Sequence, residues 1–90
     1  HPDIVKVMFL GGNLLTDETG VKLARYLAAS VTIEVLNLTN NQFGEATYLA
    51  LAAALRVNTS LRCLYLFGNP PVDKSRIEAA LVSALRLNPS

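Results

Sequence analysis

The side chains best suited to acid–base, nucleophilic or metal chemistry are scarce in this sequence. His1 is the only histidine and stands at the chain terminus, and Cys63 is the only cysteine. A catalytic thiol needs a neighbouring base, and a metal site needs several ligands at short spacings; neither set of partners accompanies these residues. Gly11 and Gly12 lack the rest of a phosphate-binding loop pattern. We therefore expect no enzyme activity, no cofactor and no metal.

Charge and hydropathy argue against two further classes of partner. The 90 residues carry a formal net charge of +1, and the eight Lys and Arg residues are scattered along the chain. No stretch approaches the roughly 20 apolar residues that a membrane span requires. We therefore expect neither nucleic acid nor a membrane as a partner. A single cysteine cannot form an internal disulfide, which favours a reducing, cytoplasmic location.

One nine-residue pattern occurs three times. The stretches VKVMFLGGN (5–13), IEVLNLTNN (33–41) and LRCLYLFGN (61–69) have apolar residues at places one, four and six, and asparagine at place nine. The offset is 28 residues in both steps, and a period of this length indicates a repeat architecture. We interpret residues 1–90 as a single segment of three repeats, approximately 4–31, 32–59 and 60–90, and expect it to be a fragment of a longer array.

Each copy is predicted to contain a strand followed by a helix. Alternate residues of a strand point to opposite faces, so places four and six share one buried face. Apolar residues three to four apart predict helices over 17–29, 45–57 and 75–87, with N-caps at Thr16 and Gly44. One copy cannot enclose its own apolar residues, so neighbouring copies must stack. The expected shared columns are Val5/Ile33/Leu61, Met8/Leu36/Leu64 and Leu10/Leu38/Leu66.

The first strand allows a second register. If HPDI aligned with NTSL of the third copy, Ile4, Val7 and Phe9 would be buried and Met8 and Leu10 exposed. A slip of one residue exchanges the two faces of a strand, so the two registers make opposite predictions. We favour the register that matches the asparagines, because GGN, TNN and FGN then superpose.

These residues resemble the ribonuclease-inhibitor-like class of leucine-rich repeats. NLLTDETGVKLARYL (13–27) is similar to the half-repeat of that class and of NOD-like receptor arrays, and LRVNTSLRCLYLFGN (55–69) is similar to units of Ran GTPase activators and tropomodulins. The resemblance implies an α/β leucine-rich repeat solenoid of about three strand–helix repeats. Its parallel sheet would form the concave face and its helices the convex face, and such arrays commonly bind partners on the concave side.

Side chains opposite the apolar columns are expected to line that concave face. Exposed aromatic residues of this kind anchor many interfaces, and charged residues flank them at the strand starts. The alternative is that these side chains pack against one another or against the rest of a parent protein. The candidate partner-binding residues are Phe9, Asn37, Thr39, Tyr65, Phe67, Arg62 and Glu34.

Three functions are compatible with this pattern. The first is a non-catalytic protein–protein interaction module that binds a protein partner through the concave face. The second is a regulatory segment of a GTPase activator or of a tropomodulin-like actin-capping protein, and the third is a ligand-sensing array of a NOD-like receptor. Repeat arrays need polar capping units at their ends, and none is evident here. We therefore also expect self-association through the uncapped repeat ends.

Overall fold

The computed structural model describes residues 6–72 and residue 75, in which two helices pack on one face of a three-stranded sheet. All strands are parallel, and the second lies between the first and third. This confirms the predicted α/β class with a parallel sheet; apart from residue 75, the predicted third helix lies outside the described residues. The elements are β1 (Val7–Phe9), α1 (Asp17–Ala29), β2 (Val35–Asn37), α2 (Glu45–Leu55) and β3 (Cys63–Tyr65).

The strands pair in the register that matches the asparagines. Met8 and Leu10 pack against the core, whereas 68% of Phe9 is exposed. The alternative register, which would expose Met8 and bury Phe9, is therefore wrong. The cross-strand partners are Val7–Val35–Cys63, Met8–Leu36–Leu64 and Phe9–Asn37–Tyr65.

Apart from Val5, which lies outside the described residues, the shared apolar columns form a core between the sheet and the helices. Its most deeply buried members come from both layers and from the loop before α2, where Phe43 is the largest. Because consecutive copies supply adjacent side chains, each copy completes the burial of its neighbour. No helix among the described residues is long and apolar enough to cross a membrane. The fully buried apolar side chains are Leu27, Ile33, Leu36, Leu38, Phe43 and Leu51.

The turn after each strand contains a residue with left-handed backbone geometry. The φ angles are +74° at Gly12, +55° at Asn40 and +84° at Gly68. Glycine adopts this geometry without a steric penalty, and asparagine tolerates it better than most residues. At Gly68 a side chain would also collide with the amide oxygen of Asn40. This requirement explains the middle residue of GGN, TNN and FGN.

The asparagine that follows this turn joins one copy to the preceding one. The Nδ2 atom of Asn41 donates to the carbonyl oxygens of Leu10 (2.9 Å) and Leu38 (3.2 Å). Its Oδ1 atom accepts from the backbone N–H groups of Asn13 and Leu15, both at 3.0 Å. Asn41 is only 1% exposed, so these bonds satisfy backbone groups that water does not readily reach.

Two further asparagines make similar bonds between copies. Asn69 donates to the carbonyl oxygen of Leu38 (3.0 Å) and accepts from the backbone N–H of Phe43 (3.1 Å). At the other end of the strands, before β3 begins, Asn58 donates to the carbonyl oxygen of Leu27 near the end of α1 (2.8 Å). The bonds of Asn58 fasten the helix of one copy to the loop of the next, which the nine-residue pattern does not predict.

The cap of α2 comes from the neighbouring helix. The N-cap positions are the predicted Thr16 and Gly44, yet neither residue makes a side-chain cap bond. Instead, Oδ1 of Asp17 in α1 accepts from the backbone N–H groups of Gly44 (2.8 Å) and Thr47 (3.2 Å) and from the Thr47 hydroxyl (2.5 Å). The hydroxyl bond, followed by the two backbone bonds, holds the pKa of the Asp17 carboxyl below its ordinary value.

We predict that Asp17→Asn lowers the free energy of unfolding at pH 7 by roughly 0.5–2 kcal/mol, because a charged cap at a helix N-terminus is lost. The folded state holds the lowered pKa, so this stabilisation is present above the ordinary value of 3.8 and is lost as the pH falls through the folded value. Urea unfolding at pH 7 and pH 2 measures both effects. Glu18→Gln, the same change at the next, exposed residue, is the control; an equal loss in both variants would contradict the capping role.

The structure corrects the end of α2. The helix ends at Leu55 and not at residue 57. The backbone N–H groups of Arg56 and Val57 donate to the carbonyl oxygens of Ala53 and Ala54, three residues earlier. The chain therefore tightens into a narrower final turn, as is common at helix ends.

Candidate functional site

The face of the sheet that points away from both helices carries large apolar side chains in contact with solvent. We call this surface, formed by Val7, Phe9, Val35, Asn37, Cys63, Tyr65 and Phe67, the open face. Side chains alternate along a strand, so the residues between the core positions must point here. The exposed fractions are 68% for Phe9, 41% for Tyr65 and 74% for Phe67. Such exposure of adjacent aromatic residues is typical of a surface that binds a partner.

Phe9 and Tyr65 stand on the two outer strands, and Phe67 lies in the turn just after β3. Tyr65 and Phe67 form an edge-to-face pair with ring centroids 6.4 Å apart, which makes a ridge at β3. Phe9 stands on β1, across Asn37 from Tyr65 in the strand register. Two interstrand spacings amount to about 10 Å, so the two aromatic groups flank a trough that follows β2.

The floor of this trough is formed by Val35 followed by the polar Asn37 and Thr39, and these side chains are less exposed than the aromatic walls. Thr39 is only 8% exposed, which corrects the prediction that its side chain is available on the concave face. Its hydroxyl donates to Oδ1 of Asn37 (2.8 Å), and its backbone N–H donates to the same atom (3.0 Å). A side-chain carbon at Gly11 would come within 2.9 Å of the Thr39 hydroxyl oxygen, so Thr39 is enclosed by its neighbours.

Asn37 is held in one orientation. Both bonds from Thr39 end on Oδ1, which fixes that atom as the oxygen and leaves the NH₂ group with two donors. Within residues 6–72, no acceptor is bonded to Nδ2 of Asn37, which is half-buried. A fixed amide with unused donors lies at the centre of the open face.

Charged side chains border the open face where the strands begin. Arg62 Nε lies 4.0 Å from Glu34 Oε1, and both side chains are largely exposed, so this ion pair contributes only about 0–1 kcal/mol. Lys6 stands at the equivalent place before β1, and the three residues line a recess of about 530 Å³ together with Thr32 and Ser60. Counted over the described residues alone, two cations and one carboxylate give this edge a net positive charge.

The structure brings most of the predicted site residues to one side of the sheet. Phe9, Asn37, Tyr65 and Phe67 lie on the open face, with Glu34 and Arg62 at its edge, while Thr39 is buried beneath it. The 28-residue spacing places Lys6 at the same strand start as Glu34 and Arg62, and it lies at this edge, although it was not among the predicted partner-binding residues. In the described part of the chain no three His, Cys, Asp or Glu side chains come together as metal ligands would.

Comparison with known proteins finds similarity among solved structures. No protein-family model matches the sequence, and no curated protein matches it. Among solved structures, the chain is similar to one described as Leiomodin-1 Actin-Binding Site 2 (ABS2), with a TM-score of 0.85 and 27% sequence identity over 93% of this chain. The chain spans about half, 49%, of that structure. A segment of an actin-binding protein therefore has the same arrangement of strands and helices as this chain.

Proposed function

We propose that this chain is a non-catalytic, cytoplasmic protein-binding segment of the tropomodulin and leiomodin type, and that its open face binds actin. The observation that carries the proposal is the exposed aromatic group Phe9, Tyr65 and Phe67 on a fold similar to half of an actin-binding site. Among the families that the sequence resembles, this similarity favours the tropomodulin-like one over GTPase activators and NOD-like receptors.

The proposal includes membership of the leucine-rich repeat class. Residues paired across the sheet are separated by the 28-residue offset of the sequence pattern at every position. The asparagines at the strand ends bond the backbone of the preceding copy, so the copies are linked by polar as well as apolar contacts. Both features support a stacked array in which each unit contacts only its neighbours.

The aromatic residues supply the energetic reason for binding. Buried Phe and Tyr side chains contribute 150–250 Å² of contact each, at about 25 cal/mol per Å² of apolar area removed from water. Phe9 and Tyr65 lie on strands whose backbone is already fixed by the sheet, so little backbone entropy is lost when a partner covers them. The ridge formed by Tyr65 and Phe67 is the part of the surface from which we expect most of the binding energy.

We predict that Tyr65→Ala combined with Phe67→Ala weakens binding to actin by at least about tenfold. The test titrates labelled monomeric actin, and separately sediments actin filaments, with the wild-type chain and the double variant. Thermal unfolding is recorded for both proteins, and a change in the melting temperature below ~2 °C shows that the fold is retained.

Tyr26→Ala is the matched control, because Tyr26 is 41% exposed like Tyr65 but lies on α1. It should bind actin as the wild type does. Failure of the wild-type chain to bind either form of actin would reject actin as the partner. Equal binding by the wild type and the double variant would reject the open face as the binding surface. Sedimentation of the free chain would show in the same series whether it self-associates, which stays a prediction.

A further inference from the structure

The trough on the open face has the width and polarity to hold a single extended peptide segment. The backbones of Phe9 and Tyr65 are two strand spacings apart, about 10 Å, so the gap between their side chains is at most about that wide. A helix with its side chains is 10–12 Å across and would rest on the rims without reaching the floor. One extended chain fits between the walls, with its side chains against the aromatic rings.

The floor offers a hydrogen bond that an extended segment can use. Nδ2 of Asn37 has no acceptor in the described part of the chain, because Thr39 occupies only Oδ1. Carbonyl oxygens inside a helix are already bonded within the helix, whereas those of an isolated extended segment are free. The unused amide donor therefore favours an extended occupant over a helical one.

The charge at one end of the trough selects among extended segments. Lys6 and Arg62 flank Glu34 where the strands begin. Because Glu34 pairs with Arg62 at 4.0 Å, the charge of Lys6 is in excess among the residues that the structure describes there. An acidic residue at the corresponding end of a bound segment would be attracted there, and a basic residue would be repelled. The walls at the same time require apolar side chains in the centre of the segment.

We propose that the open face binds an extended segment of its protein partner that is apolar in the centre and acidic at an end, and that Asn37 donates a hydrogen bond to a backbone carbonyl of that segment. This rests on the proposal that the open face is the binding surface and specifies the part of the partner that it contacts. The bound segment must place aliphatic side chains between the aromatic walls, a free backbone carbonyl at Asn37 and a carboxylate near Lys6.

The test uses three labelled peptides and fluorescence anisotropy. The extended acidic probe is Asp-Asp-Pro-Leu-Val-Pro-Leu-Val-Asp-Asp, whose prolines prevent helix formation. The second probe has Lys in place of each Asp, and the third is an acidic peptide with an alanine- and leucine-rich helical centre. We expect the extended acidic probe to bind with a Kd below about 100 µM and at least about fivefold more tightly than either of the others.

Asn37→Asp tests the donor. An aspartate can still accept the two bonds from Thr39, so the fold is retained, but it offers no donor and repels an acidic segment. We expect the affinity for the extended acidic probe to fall at least about tenfold. Gln42→Glu makes the same change of amide to carboxylate at an exposed loop residue, and should leave the affinity within about twofold.

Each outcome bears on one proposal. A Kd above about 1 mM for the extended acidic probe, tighter binding of the helical probe, equal binding of the lysine probe, or an effect of Asn37→Asp below about tenfold would overturn the inference. If one of these peptide results is obtained and the Tyr65 and Phe67 double variant still loses actin binding, the inference about the bound segment is wrong but the proposed function stands. Binding of the acidic probe that depends on Asn37, in a chain that does not bind actin, supports this inference and rejects actin as the partner.

Discussion

Replacing Phe43 by alanine should lower the free energy of unfolding by about 3–5 kcal/mol, the largest effect expected of any single truncation in this chain. Phe43 is the largest fully buried side chain, and its ring lies in the core between sheet and helices. Its removal leaves a cavity that the surrounding leucines cannot fill without leaving their columns. Urea unfolding followed by circular dichroism gives the free energies.

Phe67→Ala is the control for this prediction, because it removes the same ring from a site that is 74% exposed. We expect a change within about 0.5 kcal/mol. If Phe43→Ala does not fold, Phe43→Leu should fold with a loss of about 1.5 kcal/mol or less. An equal loss of unfolding free energy in Phe43→Ala and Phe67→Ala would contradict the burial of Phe43 in the core.

The second large effect is expected at Asn41. Asn41→Ala should cost roughly 2–4 kcal/mol, because each buried backbone group left without a partner costs about 1–3 kcal/mol. The groups left without a partner are the backbone N–H groups of Asn13 and Leu15. The carbonyl oxygens of Leu10 and Leu38 lose one donor each but keep the side chains of Asn13 and Asn69. The same unfolding assay measures the loss, and hydrogen exchange of the Asn13 and Leu15 amides should accelerate relative to the other amides.

Asn13→Ala provides the matched comparison. Asn13 occupies the same place in the first copy, but its side chain is exposed and donates to Leu10 (2.9 Å) and Gly11 (3.2 Å) only. Water can replace these bonds, so we expect a loss below about 1 kcal/mol. If Asn13→Ala proved as costly as Asn41→Ala, the bonds between copies could not be the reason for the effect.

The repeat pattern by itself determined the strands and their parallel order. A 28-residue offset brings equivalent residues side by side whenever copies stack, and the alternation along a strand then decides which side chains are buried. For the first strand the matched asparagines only favoured the register that buries Met8 and exposes Phe9, and the strand pairing decided it. Alternation does not predict that Thr39, just beyond β2, is buried, because that depends on its bonds to Asn37 and on how closely Gly11 approaches its hydroxyl group.

Only the tertiary structure decided which polar groups of one copy form hydrogen bonds with the neighbouring copy. Asp17 looks like an ordinary first-turn carboxylate of α1, yet it caps α2, and Asn58 bonds the end of a helix 31 residues earlier. Gly20 allows α1 to approach Thr47 of α2 so closely that a side chain there would collide. These contacts depend on how far one copy is displaced and rotated against the next. A pattern read within one copy contains no information on that displacement, which the packing of both copies sets together.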